Sequence, residues 1–147
     1  MESFIDSSVF VYAYLKPRRK LTEREAKVKS LAREIVGDLE EGRIRVVMTI
    51  VHLSEVLNIL EDRLGLRISL EFLELVLSSE NIELVPVGLA DYQAGLEIAR
   101  RFAISANDAI AYIKMRERGI DRIYTFDRHF RNLKDIMIVP NPEEYET

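Results

Sequence analysis

The sequence predicts an α/β fold of three layers, in which helices cover both faces of a central, mostly parallel sheet of about five strands. Short β-rich runs alternate with longer helical patterns along the whole chain, which is typical of parallel strands joined by helical crossovers. The chain has 147 residues, of which 48% are hydrophobic, and this is enough apolar surface to close one core. We therefore predict a single domain over residues 1–147.

The predicted strands are five short runs rich in β-branched and aromatic residues. They are Ser3–Asp6, Ile44–Thr49, Ile82–Val87, Arg122–Phe126 and Ile136–Val139. Because helical patterns separate them, we expect each strand to be joined to the next by a helical connection.

Helical periodicity fills the segments between these strands. The first long helix opens with a capping box of Thr22 and Glu25 and stops at Gly42, and the second stops at Gly65. Three further helices are predicted at Ser69–Ser79, Ala90–Phe102 and Ala106–Arg118. In the helix 90–102 we expect Tyr92, Leu96 and Ala99 to face the core.

Composition excludes several kinds of site. The chain has no cysteine and two histidines, which excludes disulfides and thiolate catalysis and leaves little for a site made of imidazoles. A metal would therefore be held by oxygen, which favours Mg²⁺ or Mn²⁺. No apolar run approaches the roughly 18 residues of a membrane span, and "MESFIDSSVF" does not resemble a signal peptide, so we predict a cytoplasmic protein.

The net charge of −4 argues weakly against a nucleic-acid partner, whose phosphates favour an excess of Lys and Arg. The cations are bunched, however, in "KPRRK" at residues 16–20 and again between residues 114 and 131. Solvated surface is the simplest interpretation of either run.

Four acidic residues occupy comparable places in the predicted fold. Asp6 closes the first strand, Glu55 lies on the helix after the second, Asp108 begins the helix before the fourth, and Asp127 follows the fourth. Ligands of open parallel sheets bind at the carboxyl ends of the strands, so three of these acids can converge there directly. Asp108 reaches the same edge if its helix packs antiparallel to the preceding helix. Each close pair of carboxylates would repel by about 4 kcal/mol, and a divalent cation would offset this repulsion.

Each acid also has a purely structural interpretation. Asp6 could cap the helix "SSVFVYAY", Asp127 could cap "RHFRNL", and Ser105 with Asp108 fits a capping box. Glu55 could lie on the surface, although its helical neighbours are apolar.

Small polar residues near the acids could orient carboxylates or bound water. They are Ser7, Ser8, Asn107 and Thr125. Ordinary turn and cap chemistry is the alternative for each of them. His52 and His129 are both interpreted as exposed polar positions on helices, and neither is given a catalytic role.

Four segments, "FIDSSVF", "SEVLNIL", "NDAIAYIKMRERGI" and "IYTFDRHF", resemble the conserved segments of PIN-domain ribonucleases. The order and spacing are most similar to the VapC-type toxins of prokaryotic toxin–antitoxin pairs. The likeness extends from Met1 to about Val139. One departure is Ser8, where many relatives have asparagine.

The resemblance implies a PIN-like fold and a metal-dependent endoribonuclease. Asp6, Glu55, Asp108 and Asp127 would bind Mg²⁺ or Mn²⁺ and hold the water that attacks the RNA phosphodiester. It also implies a homodimer and an antitoxin partner. Candidate contacts to the RNA backbone are Arg18, Arg19, Lys20 and Arg128. The alternative is a PIN-like scaffold that binds RNA or protein without cutting.

Overall fold

The computed structural model describes residues 2–15 and 17–146, and a five-stranded parallel sheet lies at its centre. The strands are β1 (Ser3–Ile5), β2 (Val46–Thr49), β3 (Ile82–Val85), β4 (Arg122–Tyr124) and β5 (Met137–Val139). Their spatial order is β3-β2-β1-β4-β5, and each neighbouring pair is parallel. The predicted α/β class and sheet are confirmed, with each strand slightly shorter than its predicted run.

Six α-helices lie within the described part of the chain. They are α1 (Ser7–Tyr14), α2 (Glu23–Glu40), α3 (Ile50–Leu64), α4 (Leu66–Ser78), α5 (Leu89–Phe102) and α6 (Ala106–Glu117). The predicted capping box is present at the start of α2, because Thr22 accepts from Glu25 N at 3.1 Å and Glu25 accepts from Thr22 N at 2.9 Å. None of the described helices combines the length and the apolar character needed to cross a membrane.

The helix α4 begins at Leu66, three residues before the predicted start at Ser69. Gly65 separates it from α3 and has a φ of 97°, a backbone conformation that residues with a side chain rarely adopt. The chain can therefore turn within one residue, and almost no loop separates the two helices.

Two hydrophobic cores lie on opposite faces of the sheet, which confirms the three-layer arrangement. One core joins Ile5 and Met48 of the sheet to residues of α1 to α4, including Phe10, Val56 and Phe72. The other joins the sheet to α6 and the segments around it through Phe4, Val47, Ile123, Ala109 and Met115. Adjacent strand residues point to opposite faces, so Phe4 and Ile5 belong to different cores.

The predicted inward face of α5 is wrong for two of its three residues. Tyr92 is 45% exposed and Leu96 is 51% exposed, whereas Ala99 packs against the second core. The helix instead buries Gly95, where an added Cβ would lie 3.5 Å from Ile110 Cγ1 of α6. The absence of a side chain at Gly95 lets α5 approach α6 closely, and Ile98 and Phe102 supply the large apolar side chains that pack against the second core.

The strand order changes direction between β1 and β4. The chain leaves β1 towards β2 on one side of the sheet and returns later to β4 on the other side. In open α/β sheets this change of direction separates the connections at the carboxyl ends of the two strands and forms a ligand-binding crevice. Asp6 and Thr125 are the first residues after these two strand ends.

Candidate active site

Asp6 is held at the carboxyl end of β1 with its side chain almost entirely buried. Its backbone N–H donates to Tyr124 O at 2.9 Å, and the residue is 3% exposed. Its Oδ2 accepts hydrogen bonds from Ser8 Oγ at 2.7 Å and from Thr125 Oγ1 at 2.8 Å. The side chain makes no capping hydrogen bond to α1 within the described residues, so capping does not account for this carboxylate.

Thr125 connects Asp6 to Asp127. Its hydroxyl donates to Asp6 Oδ2 and accepts from Asp127 N at 3.0 Å, and the residue is fully buried. Ser8 makes a parallel connection, since its hydroxyl donates to Asp6 Oδ2 and accepts from Phe126 N at 3.0 Å. These two hydroxyls bind the β1 and β4 strand ends together.

Asp108 lies in the first turn of α6 and is 6% exposed. Ser105 caps this helix by accepting from Asp108 N at 3.1 Å, but the reciprocal bond of a capping box is not found in the described residues. Burial raises the pKa of the Asp108 carboxyl to about 7, and the negative charges of Asp6, Asp127 and Glu55 add to this effect. Asp6, Asp127 and Glu55 therefore lie within electrostatic range of Asp108.

Asp127 and Glu55 border the same cluster from two other elements. Asp127 caps the short 3₁₀ helix Arg128–Asn132 by accepting from His129 N at 2.9 Å, so its predicted capping role is observed. Glu55 on α3 is half-buried, and its Oε1 accepts from Ser7 Oγ at 3.2 Å. Asn107 is half-buried beside Asp108, and no hydrogen bond of its side chain is found among the described residues.

The interpretation of His52 as an exposed residue is wrong. Its ring is fully buried, packs edge-on against Phe4 at 5.5 Å, and places Nδ1 2.6 Å from Thr49 Oγ1. Burial lowers the pKa of His52, although the carboxylates of Asp6 and Glu55 act in the opposite direction. The sequence signal for the buried pair of Thr49 and His52 was their spacing: the histidine follows the strand-ending threonine by three residues and has apolar neighbours.

His129 belongs to the acidic cluster, which sequence reasoning missed. Within the described residues, Asp108, Asp127 and His129 each offer a ligand atom, and these atoms lie within 4.8 Å of one another. His129 Nδ1 is 2.8 Å from Asp127 Oδ1, and its side chain is 62% exposed. The spacing Asp-x-His at the start of a short helix was the available signal.

The predicted RNA-contacting cations are exposed, and one of them is engaged elsewhere. Arg19 donates to both carboxylate oxygens of Glu25, at 2.7 and 2.9 Å. Arg18 and Lys20 are exposed in the same loop, and Arg128 is exposed directly after Asp127. Lys16 of the same basic run lies outside the described residues.

A family model described as PIN domain matches residues 3–136. The chain belongs to the PIN domain family. This match covers most of the chain and includes all four acids of the cluster, so the predicted resemblance is confirmed. A search of curated protein sequences finds no significant match.

Solved structures of toxins share the fold of this PIN domain protein. VapC20 of Mycobacterium tuberculosis, described as a Sarcin-Ricin loop cleaving toxin, is 20% identical, with a TM-score of 0.73 over 95% of this chain and 100% of that one. VapBC2 of Rickettsia felis, bound to promoter DNA, is 12% identical, with a TM-score of 0.62 over 94% of this chain and 97% of that one. A toxin–antitoxin complex from Klebsiella pneumoniae is 10% identical, with a TM-score of 0.59 over 92% of this chain and 95% of that one.

Proposed function

We propose that this PIN domain protein is a metal-dependent endoribonuclease of the VapC type. The observation that carries the proposal is the convergence of Asp6, Asp108 and Asp127 at the carboxyl ends of β1 and β4, where burial and mutual repulsion raise the pKa of Asp108 to about 7. No Lys or Arg among the described residues forms an ion pair with these acids or with Glu55. Such a cluster is unfavourable unless a cation compensates it.

The donor set fits a hard divalent cation. Ser8 and Thr125 both contact Asp6 Oδ2, which leaves Oδ1 without a hydrogen-bond partner among the described residues and free to bind a metal. Asp108, Asp127 and Glu55 contribute further carboxylate oxygens, the ligand type that Mg²⁺ and Mn²⁺ prefer. When bound, such an ion lowers the pKa of a coordinated water and offsets charge on a scissile phosphate.

The residues of the chain would position the reaction. Ser8 and Thr125 fix the Asp6 carboxylate, and Ser7 fixes Glu55 through its hydrogen bond to Oε1. Because these carboxylates are restrained before any ligand binds, little ordering would be required when the metal and the RNA arrive. Asp6, Glu55, Asp108 and Asp127 are therefore the proposed catalytic residues.

RNA is the proposed substrate class. The chain resembles the PIN-domain ribonucleases, and VapC20, which shares the fold, is described as a Sarcin-Ricin loop cleaving toxin. Arg128 directly follows Asp127 and is exposed, so it is the proposed contact to a phosphate next to the scissile one. Arg18 and Lys20 are exposed candidates for more distant phosphates, whereas Arg19 would first have to leave Glu25.

RNA cleavage with the full-length protein tests this proposal. We expect cleavage with Mg²⁺ or Mn²⁺, no cleavage in EDTA, and at least about 100-fold slower cleavage by Asp108→Asn, because a metal ligand is lost. Asp62→Asn, an exposed acid on α3, is the matched control and should cleave like the wild type. Equal cleavage with and without EDTA would contradict the metal mechanism, and tight RNA binding without any cleavage would favour the scaffold alternative.

A homodimer and an antitoxin are the proposed protein partners. The helices α3 and α4 leave several leucines exposed, among them Leu64 at 44%, Leu66 at 58%, Leu70 at 52% and Leu77 at 66%. Two of the solved structures with this fold are a toxin–antitoxin complex and a VapBC assembly. Light scattering at micromolar concentration tests the dimer. Co-purification with the product of the neighbouring open reading frame tests the antitoxin.

A further inference from the structure

His129 lies at the edge of the acidic cluster, although an ion bound only by carboxylate oxygens would need no histidine there. It is the second residue of the 3₁₀ helix that Asp127 caps, and the hydrogen bond from its backbone N–H to Asp127 Oδ1 holds it beside that carboxylate. Its ring nitrogen Nδ1 lies 2.8 Å from the same oxygen. The backbone thus fixes an imidazole at the edge of the acidic cluster.

We propose that His129 is a direct ligand of the metal bound by Asp108 and Asp127, and that this nitrogen gives the site a preference for Mn²⁺ over Mg²⁺. The inference rests on the proposed metal site and adds to it the identity of the ion. His129 is not one of the four acids, but its ligand atom lies within 4.8 Å of those of Asp108 and Asp127.

The distances suit neighbouring ligands of one ion. With bonds of about 2.1 Å in an octahedral site, adjacent ligand atoms lie about 3.0 Å apart and opposite ones about 4.2 Å apart. The Nδ1 to Oδ1 distance of 2.8 Å is close to the spacing of adjacent ligands, and all three ligand atoms lie within 4.8 Å of one another. In the absence of a metal, the same pair of atoms is close enough for a hydrogen bond, so small side-chain movements would suffice for the exchange.

The alternative is that His129 serves only as a partner of Asp127 on the surface. Its backbone N–H already satisfies the Asp127 cap, so the cap does not require an imidazole. The Asp108 carboxylate, which lies on a different element, belongs to the same group of three ligand atoms. One ion could therefore contact His129, Asp127 and Asp108 together, which a surface pair of His129 and Asp127 does not require.

The nitrogen ligand determines the preference for the ion. Mg²⁺ is bound in proteins mainly by carboxylates, phosphates and water, whereas Mn²⁺, as a transition-metal ion, binds an imidazole nitrogen more readily than Mg²⁺ does. Three carboxylates alone would not separate the two ions in this way. A site that includes His129 should therefore bind Mn²⁺ more tightly than one that lacks it.

Electron spin echo envelope modulation of the full-length protein loaded with Mn²⁺ tests the proposal directly. We expect a ¹⁴N coupling in the wild type, its loss in His129→Phe, and its retention in Lys134→Gln, an exposed neighbour that serves as control. His129→Phe should weaken Mn²⁺ binding by roughly tenfold or more and change Mg²⁺ binding much less. His129→Asp, which restores an oxygen, should move the preference towards Mg²⁺ with no ¹⁴N coupling.

Two results would overturn the inference: no ¹⁴N coupling in the Mn²⁺-loaded wild type, or a coupling that persists in His129→Phe. The outcome is separable from that of the proposed function. Metal-dependent RNA cleavage without nitrogen coupling would refute the role of His129 and leave the nuclease intact. Nitrogen coupling that disappears in His129→Phe, in a protein that cuts no RNA, would support the ligand and refute the nuclease.

Discussion

Replacement of Asp108 by asparagine should stabilise the metal-free protein at neutral and higher pH. The pKa of Asp108 is about 7 in the folded state, against 3.8 for an ordinary aspartate. Between these two values the folded protein holds about one more proton than the unfolded chain, so the free energy of unfolding falls as the pH rises and levels off above pH 7. The difference corresponds to about 4 kcal/mol at pH 8, because each pKa unit contributes about 1.4 kcal/mol.

Asparagine at this position carries no charge at any of these pH values, and it therefore removes both the burial of a carboxylate and its repulsion by Asp6, Asp127 and Glu55. We expect Asp108→Asn in EDTA to be more stable than the wild type at pH 8 by up to about 4 kcal/mol, on the order of 10 °C in Tm. The advantage should almost vanish at pH 4, where the wild-type carboxyl is protonated in the folded state.

Urea denaturation of wild type, Asp108→Asn and the exposed control Asp62→Asn, at pH 4, 6 and 8 in EDTA, measures this difference. Adding Mg²⁺ or Mn²⁺ at pH 8 should raise the stability of the wild type and reduce the advantage of Asp108→Asn. Parallel pH profiles for wild type and Asp108→Asn would show that the four acids do not share one cluster, and the reasoning for a metal site would then be refuted.

Three further changes test the surroundings of the site and the packing of α5. Thr49→Val should lower the free energy of unfolding by about 1–3 kcal/mol in urea denaturation, because it removes the cap of α3 and the partner of His52 Nδ1. Thr49→Ser keeps the hydroxyl and should retain most of this free energy. Ser8→Ala should weaken Mn²⁺ binding in calorimetry by roughly tenfold, because Asp6 Oδ2 loses one of its two hydroxyl donors. The control Ser54→Ala, on the exposed side of α3, should leave Mn²⁺ binding unchanged. Gly95→Ala should raise the free energy of unfolding by up to about 1 kcal/mol, because its Cβ meets Ile110 at an ordinary contact distance of 3.5 Å. Gly95→Leu should lower the free energy of unfolding, because the larger side chain does not fit against α6. A loss of stability in Gly95→Ala would contradict the described helix contact.

Much of the fold was predictable because its signals are local. The alternation of β-rich runs and helical periodicity indicated a parallel sheet, and Thr22, Glu25 and Gly65 marked helix boundaries through their own backbone chemistry. Three acids of the site were also visible in the sequence, since Asp6, Glu55 and Asp127 follow strands whose carboxyl ends meet at one edge of a parallel sheet. Asp108 begins a helix instead, and its approach to this edge depended on how that helix packs.

The buried face of α5 depended on its partner. Periodicity marks an apolar stripe but does not say whether large or small residues will face the neighbouring helix. Here Gly95 allows close approach to α6, Ala99 packs against the second core, and Tyr92 and Leu96 remain exposed. The two histidines were misjudged for a similar reason, because their roles depend on what another segment places beside them.

The amino-acid sequence by itself determined the elements, their order and which carboxylates stand at the strand ends, because these depend on interactions among residues that are near one another in the chain. Only the tertiary structure decided that Thr125 and Ser8 bind the same oxygen of Asp6, that His52 lies buried below the cluster, and that His129 approaches both Asp108 and Asp127. These contacts join segments up to 119 positions apart, and their geometry is set by the packing of whole elements against the sheet.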